Sequence, residues 1–131
     1  MTYFLLGLGS NIEPQTHLPA AVTALDELGN VVERSPAIFT EPVGETFNQV
    51  FGNQLVVFQS DLPAPMLKQK LQRLEEHMGR EPKSPARKTR DRTIDIDILT
   101  ESEAHESLRA YVPEESYYAQ VNAQWRQEEN V

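Results

Sequence analysis

Short apolar runs along the chain predict four strands. The runs are rich in β-branched and aromatic residues, which fit a half-buried pleated surface. The predicted strands cover residues 3–8, 30–39, 50–58 and 93–99. Pro36 interrupts the second run, so we expect a strand, a bend and a strand edge there. In the last run Ile94, Ile96 and Ile98 alternate with polar residues, which indicates one buried face and one polar face.

Two longer segments have apolar residues three and four positions apart, the spacing of a helix. The first begins at His17 and ends before Gly29, whereas the second begins near Asp61 and ends before Gly79. The order is strand, helix, strand, strand, helix, strand. It predicts an α+β fold of the ferredoxin-like type, with a mainly antiparallel four-stranded sheet covered by helices.

Length and composition narrow the class of protein. A chain of 131 residues, with 39% apolar and 24% charged residues, fits one domain over residues 1–131. We expect its acidic segment 100–131 to form one anchored contact and then a weak helix or a frayed end. The sequence contains no cysteine, which excludes thiolate metal sites and cysteine nucleophiles.

The net charge and the first residues of the sequence indicate which binding partners and which cellular compartment to expect. The net charge of −8 argues against nucleic-acid and anionic-membrane binding. The first residues have no basic region, and their apolar run is too short for a signal peptide or a membrane span. We therefore expect a cytoplasmic protein, and we take a monomer as the default.

Two aspartates lie on the polar face of the last predicted strand. Asp95 and Asp97 are two residues apart, so both carboxylates project from the same face, although Asp is depleted in strands. Like charges this close repel unless a cation or a proton lies between them. Carboxylate oxygens suit Mg²⁺, which takes one or two of them and adds water and phosphate oxygens. The pattern fits a magnesium site and also an ordinary solvated strand face.

Half of the 12 Lys and Arg residues lie in the predicted loop that leads into these aspartates. They are Arg80, Lys83, Arg87, Lys88, Arg90 and Arg92. An arginine can bind phosphate oxygens through two parallel hydrogen bonds. Acids for a metal beside arginines for phosphate are typical of phosphoryl transfer, where catalysis is positioning and charge neutralisation. A solvated basic loop is the alternative interpretation.

Six short motifs occur along the chain: Gly-Leu-Gly-Ser-Asn (7–11), Glu-Pro-Val-Gly (41–44), Phe-Gly-Asn (51–53), Gln-Arg-Leu-Glu (72–75), Gly-Arg (79–80) and Asp-Arg-Thr-Ile-Asp-Ile-Asp-Ile-Leu (91–99). Together they resemble the 6-hydroxymethyl-7,8-dihydropterin pyrophosphokinase family of folate biosynthesis. The match runs in family order from residue 3 to about residue 99. The resemblance implies a ferredoxin-like core and transfer of the β,γ-pyrophosphoryl group of ATP to the hydroxymethyl group of a reduced pterin, with release of AMP.

The same resemblance implies the metal and nucleotide contacts. Asp95 and Asp97 would bind two Mg²⁺ ions that bridge the ATP phosphates, and Arg92 and Arg80 complete the implied catalytic set. Arg92 is also implied to contact ATP. The other residues implied to contact ATP are Gln72, Glu75, Lys83, Arg87, Ile98 and Arg109.

The residues implied to contact the pterin are Pro42, Val43, Phe51 and Asn53. Phe51 offers a flat apolar ring on which a flat heterocycle can stack. Asn53 is two residues further along the strand, so it shares that face and offers both a donor and an acceptor. A core Phe and an edge Asn are the alternatives for these two positions.

Three positions in the tail depart from the family pattern. Glu114 stands where the family has a His that contacts ATP, and Gln120 and Asn122 fall near an Arg and a Phe of the family. An acid beside ATP is unfavourable by charge repulsion. Three hypotheses follow: a working pyrophosphokinase with a divergent tail, a degenerate member that binds nucleotide or pterin without catalysis, and a metal-dependent transferase on another phosphorylated substrate. The aromatic residues that could replace the missing ring are Tyr117, Tyr118 and Trp125.

Overall fold

The computed structural model describes residues 1–40, 50–79 and 93–129, and these ranges contain five strands and four helices. The strands are β1 (Thr2–Ser10), β2 (Asn30–Arg34), β3 (Ile38–Thr40), β4 (Phe51–Ser60) and β5 (Asp95–Ser102). The helices are α1 (Pro14–Leu28), α2 (Ala64–His77), α3 (His105–Arg109) and α4 (Ser116–Glu129). None of the helices described is long and apolar enough to cross a membrane.

All strand pairs in the sheet are antiparallel, and the order is β2–β4–β1–β5. The elements β1, α1, β2, β4, α2 and β5 follow the βαββαβ order of the ferredoxin-like arrangement, so the predicted fold class is confirmed. The additional strand, β3, pairs with residues 51–53 of β4, on the edge where β2 pairs with residues 56–59. The run interrupted at Pro36 therefore forms two short strands along one edge of β4.

Apolar clusters cover both faces of the sheet, which gives three layers. Helices α1 and α2 cover one face, which we call the α1/α2 face. Its buried strand residues are Phe4, Leu6, Leu8, Val56, Phe58 and Ile96, and Ile94, just before β5, is buried with them. Helices α3 and α4 cover the opposite face, the α3/α4 face. Its buried residues are Leu5, Leu55, Val57, Leu108, Tyr118, Val121 and Trp125.

Helix α4 is the main departure from the sequence-based expectation of a weak helix or a frayed end. It is 14 residues long, and it packs on the sheet through Tyr118, Val121 and Trp125, which are all buried. Their spacing of three and four residues places them on one side of the helix. The signal was present in the sequence, but the acidic and amide residues around it obscured a stripe of only three apolar side chains.

Candidate functional site

The two aspartates lie on β5 at an edge of the sheet, on the α3/α4 face. Asp97 is exposed and Asp95 is half-buried, whereas Ile94 and Ile96 are buried on the opposite face, so the predicted alternation is confirmed. In the neighbouring strand β1, the residues that pair with Asp95 and Asp97 are Gly9 and Gly7. Neither glycine has a side chain, so the space above β1 is open to groups from other elements. We call this space the glycine trough.

Strand β4 supplies the opposite wall of the glycine trough. Gly9 pairs with Asn53 and Gly7 pairs with Leu55, and all four residues share the α3/α4 face. Asn53 is only 6% exposed, and its Oδ1 lies 3.2 Å from the point where a Cβ on Gly9 would be. Phe51, two residues before Asn53, is half-buried on the same face. Carboxylates thus line one side of the trough, and an amide with an aromatic ring lines the other.

Helix α4 inserts the ring of Tyr118 into the glycine trough. A Cβ on Gly7 would lie 2.7 Å from Cε2 and 2.8 Å from Cε1 of this ring, so residue 7 must be glycine for the ring to fit. The hydroxyl oxygen lies 3.8 Å from the Cβ position of Gly9. Burial raises the pKa of the Tyr118 phenol well above its usual 10.0, and the negative charges of Asp97 and Asp95 raise it further. The phenol is therefore a neutral hydrogen-bond donor at physiological pH.

This raised pKa predicts a loss of stability at alkaline pH. Above about pH 10 the unfolded chain releases the Tyr118 proton while the folded chain retains it, so the free energy of unfolding falls as pH rises. Urea unfolding between pH 8 and pH 11 should show this slope. The slope should be smaller in Tyr118→Phe, which removes the titrating hydroxyl. Equal slopes for the wild type and Tyr118→Phe would contradict the prediction.

Glu75 of α2 ties this helix to β5 next to the aspartates. It is 4% exposed, and its Oε2 accepts a hydrogen bond of 3.1 Å from the backbone N–H of Ile96. Backbone groups on the open side of an edge strand need such partners. Gln72 is exposed on the same helix, and Ile98 packs with the core of the α1/α2 face. Their implied contacts with ATP remain predictions.

Replacing Glu75 should destabilise the fold. Glu75→Ala leaves the buried N–H of Ile96 without its acceptor, which lowers the free energy of unfolding by about 1–3 kcal/mol. Glu75→Gln retains an acceptor oxygen, so we expect a smaller loss. Urea denaturation followed by circular dichroism measures both. A loss in Glu75→Gln as large as that in Glu75→Ala would show that the charge, and not the hydrogen bond, stabilises the strand.

Seven of the residues implied to contact ATP or the pterin have side chains outside the described part of the chain. Arg109 ends α3, and its side chain is outside the described part of the chain. The other six lie wholly outside the described residues: Pro42, Val43, Arg80, Lys83, Arg87 and Arg92.

The ends of the two undescribed internal segments are nevertheless fixed close to the trough. Gly79 follows α2 with a φ of 106°, in the left-handed region that favours glycine, and a Cβ there would lie 3.8 Å from Oγ1 of Thr93. The basic segment 80–92 therefore starts and ends at neighbouring points, two residues before Asp95. Likewise Thr40 pairs with Phe51, so segment 41–49 starts beside the ring implied to stack on the pterin.

The tail positions that differ from the family pattern are spread over α4 and the residues before it. Glu114 and Gln120 are exposed, whereas Asn122 is 7% exposed. Of the three candidate aromatic residues, Tyr118 lies in the glycine trough, Trp125 is buried in the same cluster, and Tyr117 is half exposed. Sequence reasoning did not single out Tyr118. Gly7 and Gly9 opposite the aspartates were the available signal, since they indicate that a bulky group approaches β1.

The donor chemistry of the aspartate pair suits Mg²⁺. Carboxylate oxygens are hard ligands, and Mg²⁺ commonly takes only one or two of them because substrate phosphates complete its shell. Among residues 1–40, 50–79 and 93–129, no three or more His, Asp or Glu side chains gather as a fully protein-made metal site.

Comparison with known proteins shows one consistent similarity. The profile of the 7,8-dihydro-6-hydroxymethylpterin-pyrophosphokinase family matches residues 5–122, which includes α3 and the first half of α4. The 2-amino-4-hydroxy-6-hydroxymethyldihydropteridine pyrophosphokinases of two Porphyromonas gingivalis strains, ATCC 33277 and W83, are each 35% identical over 104 residues. The aligned region covers 78% of this chain and 71% of each relative.

Proposed function

Because this chain belongs to the 7,8-dihydro-6-hydroxymethylpterin-pyrophosphokinase family, we propose that it transfers pyrophosphate from ATP to 6-hydroxymethyl-7,8-dihydropterin at the glycine trough. Membership makes the chain an ATP-dependent pyrophosphokinase of folate biosynthesis. The dependence on Mg²⁺, the acceptor and the role of each residue are the parts proposed here.

One observation carries the proposal: two carboxylates lie across the glycine positions of β1 from an amide and an aromatic ring, with the Tyr118 ring over Gly7 and no side chain on Gly9 between them. Asp95 pairs with Gly9, and Gly9 pairs with Asn53, so the three residues form one row across β5, β1 and β4. Neighbouring positions in such a row have Cβ atoms about 4.5–5.5 Å apart. A phosphate-bearing group on the carboxylate side and a heterocycle on the Phe51 side would therefore meet within one small site.

Arginines would complete the phosphate side of this site. Arg92 is three residues before Asp95 in the sequence, and Arg80, Lys83 and Arg87 belong to the same basic segment. The described residues that flank this segment, Gly79 and Thr93, lie close together, and Thr93 is two residues before Asp95. When bound, Mg²⁺ would neutralise charge on the phosphate oxygens and align the triphosphate. The arginines add bidentate hydrogen bonds to the same group.

The proposed reaction is a single displacement at the β-phosphorus. The hydroxymethyl oxygen of the pterin forms a bond to this phosphorus and loses its proton, while the bond to the bridging oxygen of the α-phosphate breaks and AMP leaves. Asn53 would orient the pterin edge through its amide, and Phe51 would hold the ring by stacking. The protein contributes mainly position and charge, as expected for phosphoryl transfer. A cytoplasmic location and a monomeric state remain predictions beside this proposal.

Production of AMP tests the proposal directly. Purified protein is incubated with ATP, Mg²⁺ and 6-hydroxymethyl-7,8-dihydropterin, and AMP is measured by chromatography with and without EDTA. We expect AMP only when the metal and the pterin are both present. AMP formation that needs a different acceptor would favour a transferase on another substrate. Absence of AMP from folded protein, together with heat on calorimetric titration with ATP, would favour a binder without catalysis.

A further inference from the structure

Tyr118 is a buried side chain beside the aspartate pair that the proposed function leaves without a role. Helix α4 carries it into the glycine trough, where it is 1% exposed. Its ring lies against Gly7, the residue paired with Asp97, so the ring is flanked by Asp97 on β5 and Leu55 on β4. Such close placement of the ring against β1 requires a glycine at residue 7.

The hydroxyl of Tyr118 points along β1 towards the row of Asp95, Gly9 and Asn53. The ring carbons next to the hydroxyl lie closest to the Cβ position of Gly7, and the hydroxyl oxygen lies 3.8 Å from that of Gly9. Asn53 Oδ1 approaches the same point to 3.2 Å from the other side. A buried tyrosine hydroxyl normally has a hydrogen-bond partner, and the carboxylates of β5 and the amide of Asn53 are polar side chains in the row that it approaches.

We propose that Tyr118 is a positioning residue for the carboxylates of Asp95 and Asp97. Its ring fills the trough over Gly7, and its hydroxyl donates a hydrogen bond to the aspartate pair, which fixes the orientation in which the pair binds a metal–nucleotide complex. The inference rests on the proposed function, because it assumes that these aspartates bind the metal. Partners that orient metal ligands in this way commonly change metal affinity by about 10- to 100-fold when they are removed.

Binding of Mn²⁺, used in place of Mg²⁺, tests the inference without catalysis. Electron paramagnetic resonance measures free Mn²⁺ in the presence of α,β-methylene-ATP, which cannot release AMP. We expect Tyr118→Phe to remain folded and to bind Mn²⁺ about 10- to 100-fold more weakly than the wild type. The control Tyr117→Phe, which alters the exposed neighbouring ring, should bind as the wild type does.

The same experiment separates failure of the inference from failure of the proposed function. Wild-type affinity in Tyr118→Phe, with weak binding in Asp97→Ala, would overturn the role of Tyr118 and keep the metal site. Equal Mn²⁺ binding by the wild type and Asp97→Ala would overturn the metal site itself, and the inference with it.

A double substitution tests the placement of the ring. Gly7→Ala puts a Cβ into the Tyr118 ring, so we expect it to lower the urea midpoint and to weaken Mn²⁺ binding. In a Tyr118→Leu background, where the ring is gone, Gly7→Ala should cost much less on both measures. Equal costs of Gly7→Ala in the two backgrounds would show that the ring does not occupy the trough, and would overturn the inference.

Discussion

Replacement of Asp97 by Ala is expected to slow AMP formation by about 10³-fold or more while the protein remains folded. A bound metal ion supplies several kcal/mol of stabilisation to the charge that develops on the transferred group, and each 1.36 kcal/mol corresponds to a factor of ten in rate. The side chain of Asp97 is exposed on an edge strand, outside both apolar clusters, so its removal leaves the core intact. The measurement is kcat at saturating ATP, Mg²⁺ and pterin, with circular dichroism to verify folding.

Asp61→Ala is the matched control for this substitution. Asp61 is an exposed aspartate in the turn between β4 and α2, away from the trough, so its loss should leave kcat unchanged. Asp97→Asn provides a second comparison, since it keeps the shape and removes the charge. Near wild-type rates in Asp97→Asn would show that the negative charge of Asp97 is not needed, which would contradict its proposed role as a carboxylate ligand of the metal. Unfolding of Asp97→Ala would instead show that the carboxylate has a structural role.

Replacement of Phe51 by Ala is expected to raise the KM for the pterin about tenfold or more, with a much smaller change in the KM for ATP. Stacking of a flat base on an aromatic side chain contributes about 1–3 kcal/mol, and the ring lies on the Asn53 side of the trough, away from the carboxylates. Initial rates are measured with each substrate varied while the other is saturating. Equal increases in both KM values would point to a general distortion of the site.

Phe39→Ala serves as the control for Phe51. Phe39 is 45% exposed and pairs with Gly52, so its ring lies on the α1/α2 face, opposite to that of Phe51. Removing it deletes an aromatic ring of the same size one strand away. We expect both KM values to stay near those of the wild type. A rise in the pterin KM of this variant would place the pterin on the wrong face of the sheet for our proposal.

The strand pattern was readable from the sequence because one physical rule governs it. Alternation of Ile94, Ile96 and Ile98 with Asp95 and Asp97 places the acids on one face whatever the neighbouring strands do. The same rule placed Asn53 on the face of Phe51. What alternation cannot supply is the identity of the opposite strand, and hence that glycines of β1 separate the two walls of the site.

Glu75 and Tyr118 show why other features of the candidate site could not be predicted from the sequence. On helical spacing alone, Glu75 looks like an exposed residue, and only the position of α2 beside the edge strand β5 reveals its hydrogen bond to Ile96. Tyr118 belongs to an acidic tail with a weak apolar pattern, and its burial depends on contact with a strand more than a hundred residues earlier in the chain. Long-range packing overrides local propensity at both positions.

The close approach of Gly79 to Thr93 has a consequence for how such an enzyme can evolve. Because the basic segment leaves and re-enters the scaffold at adjacent points, insertions or deletions within it leave the pairing of β5 with β1 unchanged. Doubling the length of such a connection costs only about 0.6 kcal/mol of closure entropy. The length of this connection can therefore change in evolution with little effect on the thermodynamic stability of the sheet.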